Sequence, residues 1–204
     1  MNKVDLLKEL KDLYKASVQG VTFLEIPKMK YLMIDGKGDP NANPVYKDSV
    51  QALYSLAYAV KFFIKKSQQA IDFKVMTLEG LWWVNDMNQF SIEKKDDWKW
   101  TMMILQPDLI TDQLVDAMRN QVIEKKGLPH VNKVRFETYS EGLCAQILHF
   151  GSYSTEGANI AKLHNAIAEK GYKRVGKHHE IYLNTPLKTA PDKLRTIIRQ
   201  PAGK

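Results

Sequence analysis

Apolar and polar positions fall into alternating strand-like and helical stretches, and the same order of stretches is written twice. Val21 to Ile26 reads as a strand, Pro27-Lys28 turns the chain, and Met29 to Gly36 reads as a second strand. The loop Gly36-Lys37-Gly38-Asp39-Pro40-Asn41 leads into Asn43-Pro44, an N-cap followed by proline at the first helical position. The helix runs to about Lys66 with Tyr46, Val50, Leu53, Ala57, Val60 and Ile64 on its core stripe, and Tyr54, Tyr58 and Phe62 widen that apolar face. Strand 73–84, a polar loop over 85–97 and strand 98–106 complete the first copy. After a connecting helix capped by Thr111 and stopped by Gly127-Leu128-Pro129, the order returns. It gives strand 131–139, strand 143–150, a helix over about 154–170, strand 172–184 and a β-branched tail from Leu194 to Pro201 as the last strand. Ahead of both copies, residues 3–15 place Val4, Leu7, Leu10 and Tyr14 at helical spacing.

This duplication predicts an α+β fold of tandem strand-helix-strand-strand modules, related by pseudo-two-fold symmetry and facing a central ligand cleft. The expected organisation is an N-terminal helix over 1–17 and a single domain over 18–204. Within that domain, 18–107 is the first module, 108–130 the connecting helix and 131–204 the second module.

Charge adds a question. A net charge of +7 invites nucleic acid, since lysine and arginine release counterions from a phosphate backbone. The basic residues are scattered, however, and the pairs Lys65-Lys66, Lys94-Lys95 and Lys125-Lys126 sit at expected helix ends or in a loop, where helix-end lysines complement the dipole. No glycine-aromatic RNA-binding signature accompanies them, so a nucleic-acid partner is not expected. No apolar run approaches the ~18 residues of a membrane span, and residues 1–20 lack a signal-peptide core, so a cytoplasmic protein without a membrane partner is expected. The single cysteine, Cys144, rules out an intramolecular disulfide framework and reads as a small buried hydrophobe.

Candidate chemistry centres on strand carboxylates. Alternation puts His178, Glu180 and Tyr182 on one strand face and His179, Ile181 and Leu183 on the other. Ile181 and Leu183 suit the face that covers a helix, which turns Glu180 and Tyr182 towards the cleft. In the first copy, Glu79, Leu81 and Trp83 share one face and Gly80 and Trp82 the other, so one tryptophan of the pair is expected in the cleft. A carboxylate among aromatics is costly to ionise, which suits it to general acid-base work or to anchoring a cation on aromatic faces. An ordinary strand glutamate, paired or hydrogen-bonded, is the plainer alternative for both Glu79 and Glu180. Trp100, Tyr54, Tyr58, Tyr139 and Tyr153 complete the aromatic candidates for a flat ligand. The histidines lack metal-ligand spacing, and no glycine-rich phosphate loop or serine-nucleophile elbow is present, so neither a metal nor a cofactor is expected.

Taken together, Tyr31 to Pro40, Leu78-Glu79-Gly80-Leu81-Trp82-Trp83, Trp98 to Ile104, His178 to Leu183 and Lys193 to Pro201 resemble the GyrI-like small-molecule-binding family, relatives of the effector-binding domains of multidrug-responsive regulators. The resemblance, over roughly 18–204, implies an aromatic cleft with a central strand glutamate that meets cationic drugs in the regulators, and Glu180 is the matching position. With one short helix before the domain, the chain looks like a free-standing member. Some free-standing members hydrolyse the cyclopropane of spirocyclopropyl-cyclohexadienone DNA alkylators. The resemblance thus implies a resistance hydrolase acting on planar small molecules, with Glu180 activating water and Tyr182 on the same strand face; the alternative is a non-catalytic drug-binding module.

Overall fold

The computed structural model describes residues 2–68, 70–87 and 94–204, so the expected loop over 85–97 lies partly outside the described residues. In chain order the elements are β1 (Asn2–Val4), α1 (Leu6–Glu9), β2 (Thr22–Ile26), β3 (Met29–Lys37), α2 (Pro44–Lys66), β4 (Ile71–Phe73), β5 (Glu79–Trp83), β6 (Lys99–Leu105), α3 (Asp112–Lys126), β7 (Arg135–Tyr139), β8 (Gly142–Phe150), α4 (Gly157–Glu169), β9 (Lys173–Arg174), β10 (His178–Tyr182) and β11 (Arg195–Gly203). The fold is α+β, and the order strand, helix, strand, strand recurs as β3-α2-β5-β6 and β8-α4-β10-β11. No helix among the described residues is long and apolar enough to cross a membrane.

Local chemistry sets the helix ends. The Asn43 side chain accepts from the Val45 amide at 2.9 Å and donates to the Lys37 carbonyl at 2.8 Å, tying the start of α2 to the end of β3. Thr111 caps α3 through the Leu114 amide, and Gly127 ends it in the left-handed region at φ 60°.

Two compact units emerge, one of residues 1–9, 29–76 and 83–139, the other of 10–28, 77–82 and 140–204. In the first, β6, β3 and β7 form an antiparallel order, and β1 pairs with β4 in parallel. α2 buries Ala52, Leu53, Leu56, Ala57, Val60 and Ile64. Trp100 is wholly buried against Tyr46, and its ring passes so close to Gly36 that a Cβ there would stand 2.1 Å from it. In the second unit, β2, β8, β11, β10 and β5 form an antiparallel order, with β9 on β11. Leu163 and Ile167 of α4 pack on Ala145, Ile147, Ile198 and Ala202.

Several expectations need correcting. The amphipathic helix over 3–15 is a single turn, α1, because tertiary contacts claim the residues after it: Leu13 and Tyr14 are buried, the Leu13 carbonyl accepts from Arg199 and the Tyr14 hydroxyl donates to Glu79. The compact units do not follow the contiguous modules 18–107 and 131–204, since β2 pairs with β8 while β7 pairs with β3, each copy's first strand adding to the other unit. The long strand expected over 172–184 is split into β9 and β10 around Gly176 at φ 63°, and 73–84 into β4 and β5.

Candidate active site

The candidate site lies in the second unit and is built on β10. The pairing of β10 with β5 sets His178 opposite Trp82 and Glu180 opposite Gly80; its pairing with β11 sets Glu180 opposite Ile198 and Tyr182 opposite Thr196. Strand alternation therefore places Trp82, His178, Glu180, Tyr182, Thr196 and Ile198 on one face. Ile198 packs against α4, so within this unit Glu180 stands on the helix-covered face, not on the opposite face as the apolar character of Ile181 and Leu183 suggested. Leu163 and Ile167 cover the Ala145, Ile147, Ile198 and Ala202 patch, and Glu180 and Tyr182 meet the residues at the start of α4.

Glu180 is engaged at both oxygens. The Tyr182 hydroxyl donates to Oε2 at 2.8 Å, and His178 Nε2 lies 3.2 Å from Oε1. The Trp82 indole N–H in turn donates to the Tyr182 oxygen at 3.1 Å, and the Thr77 hydroxyl bonds the Tyr182 carbonyl, so the tyrosine is fixed from side chain and backbone. The Tyr153 ring meets Tyr182 edge-on, with centroids 5.6 Å apart, while remaining 40% exposed. Burial, followed by the negative charge of Glu180, pushes the Tyr153 hydroxyl up to about 12, so it stays a proton donor.

A second carboxyl completes the group. Glu156, the residue before α4, makes no capping hydrogen bond with its side chain and is only 4% exposed. Burial first, and then the charge of Glu180, push its pKa up to about 9, so it holds its proton at neutral pH. Its side chain lies within hydrogen-bonding reach of the Thr196 hydroxyl and of Glu180. A protonated Glu156 beside Glu180 is an arrangement in which one carboxyl gives a proton and the other takes one.

The reverse face of β10 is chemically different. Both ring nitrogens of His179 meet carboxylates, Nε2 with Glu79 at 3.0 Å and Nδ1 with Glu141 at 2.9 Å. Carboxylates only accept, so both nitrogens donate and the ring is an imidazolium. Burial alone would lower its pKa, but Glu141 and then Glu79 outweigh burial and hold it at about 9. Tyr14 donates to Glu79 at 2.6 Å, and Arg199 reaches Glu141, Gln146 and the Leu13 carbonyl. Two carboxylates against an imidazolium and a guanidinium leave this buried group neutral.

The candidates from sequence thus separate. Glu180, Tyr182, Trp82 and Tyr153 come together, whereas Glu79 lies on the opposite face with no exposure. Trp83, Trp100, Tyr54, Tyr58 and Tyr139 belong to the other unit. There Trp100 has no accessible face, Tyr139 meets Tyr31 edge-on, and Tyr54 and Tyr58 stack along α2. Sequence reasoning missed Glu156 and Thr196; the weak signal for the first was an acidic residue at the start of a helix, which ordinarily serves the dipole.

A family model for the GyrI-like small molecule binding domain matches residues 19–202. Among solved structures, an uncharacterized conserved protein from Listeria innocua is 33% identical with a TM-score of 0.91, over 98% of this chain and 100% of that one. A hydrolase from Listeria innocua is 32% identical with a TM-score of 0.86, over 98% of this chain and 100% of its own. The C-terminal domain of EcmrR, 12% identical with a TM-score of 0.57 over 90% of this chain and 97% of that one, shares the fold alone. No curated protein sequence matches the chain.

Proposed function

The chain belongs to the GyrI-like small-molecule-binding family, and from that premise we propose that it binds flat, drug-like molecules beside Glu180 and hydrolyses spirocyclopropyl-cyclohexadienones. Water attacks the strained methylene, the methylene–spiro carbon bond breaks, and its electron pair passes into the dienone to make an aromatic phenolate. Glu180 takes the proton of the attacking water, and Glu156 supplies one to the phenolate oxygen, directly or through a hydroxyl. The products are a primary alcohol and a phenol, one water having been consumed. The carboxyl pair carries the same total charge before and after, and a proton passed between its members resets it. The exposed Tyr153 ring, edge-on to Tyr182, offers an aromatic surface to a planar substrate. The observation that carries this reading is the unequal pair itself: one buried carboxyl held protonated next to a second that two hydrogen-bonding side chains orient. A hydrolase relative at 32% identity supports the reaction class.

The test is Glu180→Gln, which keeps shape and hydrogen bonding while removing the base. Turnover of a spirocyclopropyl substrate, followed by appearance of the alcohol, is expected to fall ~10²-fold or more with the fold intact. Binding of an uncharged flat ligand should survive, and a cationic dye should bind more weakly. A melting temperature that drops sharply with unchanged activity per folded molecule would make Glu180 structural. One observation favours a binding module without turnover: both Glu180 oxygens are already engaged, by Tyr182 and His178, so neither is left open to an attacking water. Wild-type protein that binds the substrate yet leaves it at the uncatalysed rate would decide for that module.

A further inference from the structure

The aromatic stripe of α2 is not absorbed by the Glu180 site. Tyr54, Tyr58 and Phe62 stack in sequence, with centroids 6.4 and 6.1 Å apart, yet Tyr58 is 45% exposed, Phe62 48% and the adjacent Phe63 47%. The buried stripe of α2 is a different one, through Leu53, Leu56, Val60 and Ile64. Three large aromatics clustered at a surface, away from the core stripe of their own helix, mark a binding face more often than a neutral one. They line one side of a groove of about 470 Å³ within the first unit, whose other side is α3, with Met118 and Val122 buried at its base. That volume lies in the range of small-molecule sites.

The groove carries one sign of charge. Lys66, Lys125 and Lys126 line it, and none of its lining residues is acidic. Neighbouring Lys61 and Lys65 pair with Asp72, whereas these three make no ion pair among the described residues. Helix-end lysines do complement the dipoles of α2 and α3, but that role does not require them to surround exposed aromatics. A second copy of the chain is a poor occupant, because a contact repeating this patch on both sides gathers six ammonium groups with no carboxylate from either groove. A cation is excluded by the same charge, which sets this groove apart from the Glu180 site.

We infer that the α2/α3 groove is a second ligand site, taking amphiphilic organic anions: an apolar body lies on Tyr58, Phe62 and Phe63, and a carboxylate or sulfonate head meets Lys66, Lys125 and Lys126. The test titrates wild-type protein with anilinonaphthalene sulfonate, followed by fluorescence, and displaces it with decanoate. The expected result is saturable binding, weakened about tenfold by Phe62→Ala and at least as much by Lys125→Glu/Lys126→Glu. Decylammonium, with the same chain length and the opposite charge, should fail to displace the dye from wild type. Phe62 and both lysines are exposed, so these variants should fold, and circular dichroism checks that. Dye binding untouched by both variants, decylammonium competing as well as decanoate, or light scattering that shows a dimer lost on Phe62→Ala would each overturn the inference.

Discussion

Replacing Glu156 by glutamine should make the protein more stable and less active, and the gain should depend on pH in a way no other role for this residue produces. An unfolded glutamate ionises near 4.5, while the folded residue keeps its proton up to about 9, so the native state binds more protons in between. Stability contributed at this position is therefore complete below 4.5 and declines as pH rises towards 9. The slope is ~1.4 kcal/mol per pH unit, which amounts to ~3 kcal/mol by pH 7. One effect trims that figure: the glutamine amide, buried in place of the carboxyl, carries its own desolvation cost of about 1–2 kcal/mol. A net gain of about 1–2 kcal/mol at pH 7 is expected, or about 2–8 °C in melting temperature for a chain of this size. Thermal melts of wild type and Glu156→Gln from pH 4.5 to 8.5 read this directly, because the difference between them isolates one group. The curves should meet near pH 4.5 and separate upward, while turnover of the spirocyclopropyl substrate falls ~10²-fold. A variant that melts lower than wild type at pH 7, or a gain equal at both ends of the range, would refute a buried protonated Glu156.

Other outcomes are more local. His179→Gln leaves Glu79 and Glu141 buried without their shared cation and should cost about 3–5 kcal/mol in chemical denaturation. Because the folded His179 pKa is raised to about 9, its contribution is complete below the ordinary value of 6.5 and is lost as pH climbs towards 9, so wild-type melting should decline across that interval. Gly36→Ala drives a methyl group into the buried Trp100 ring and should destabilise by about 1–3 kcal/mol, with a matching change in tryptophan fluorescence. Trp82→Phe removes the indole hydrogen bond to Tyr182; it should weaken turnover and planar-ligand binding several-fold while changing stability by only about 1 kcal/mol.

Much of the fold was legible because its signals are local. Asn43-Pro44 and Gly127 place helix ends within a residue, and the β-branched tail marks β11. The terminal segment was misread for a non-local reason: Leu10 and Tyr14 have helical spacing, but the energy of Tyr14 lies in a hydrogen bond to Glu79, 65 positions away. That β2 pairs with β8 and β7 with β3 is equally invisible to periodicity, since only tertiary pairing chooses a strand's partner. In the site, alternation grouped His178, Glu180 and Tyr182 correctly, yet it could not say which face a helix covers. Apolar Ile181 suggested the wrong one, because the reverse face is also fully buried, under Leu13, Tyr14 and an ion network.

On the function proposed above, Glu79 and Glu180 differ as a scaffold carboxylate and a site carboxylate although both lie on paired core strands. Glu79 stands opposite Ile181 and shares the His179 face, where every charge is matched and exposure is zero. Glu180 is one residue along from His179, and alternation alone turns it to the face where Glu156 brings a second carboxyl. A neutral, fully bonded cluster has nothing to gain from a ligand. In the proposed reaction a protonated Glu156 beside Glu180 passes its proton to the substrate, and the matched network behind β10 fixes the strand on which Glu180 stands. The stability lost by keeping Glu156 buried and the stability held by His179 are thus opposite sides of one strand, and the first should be recoverable by mutation only at the expense of the chemistry.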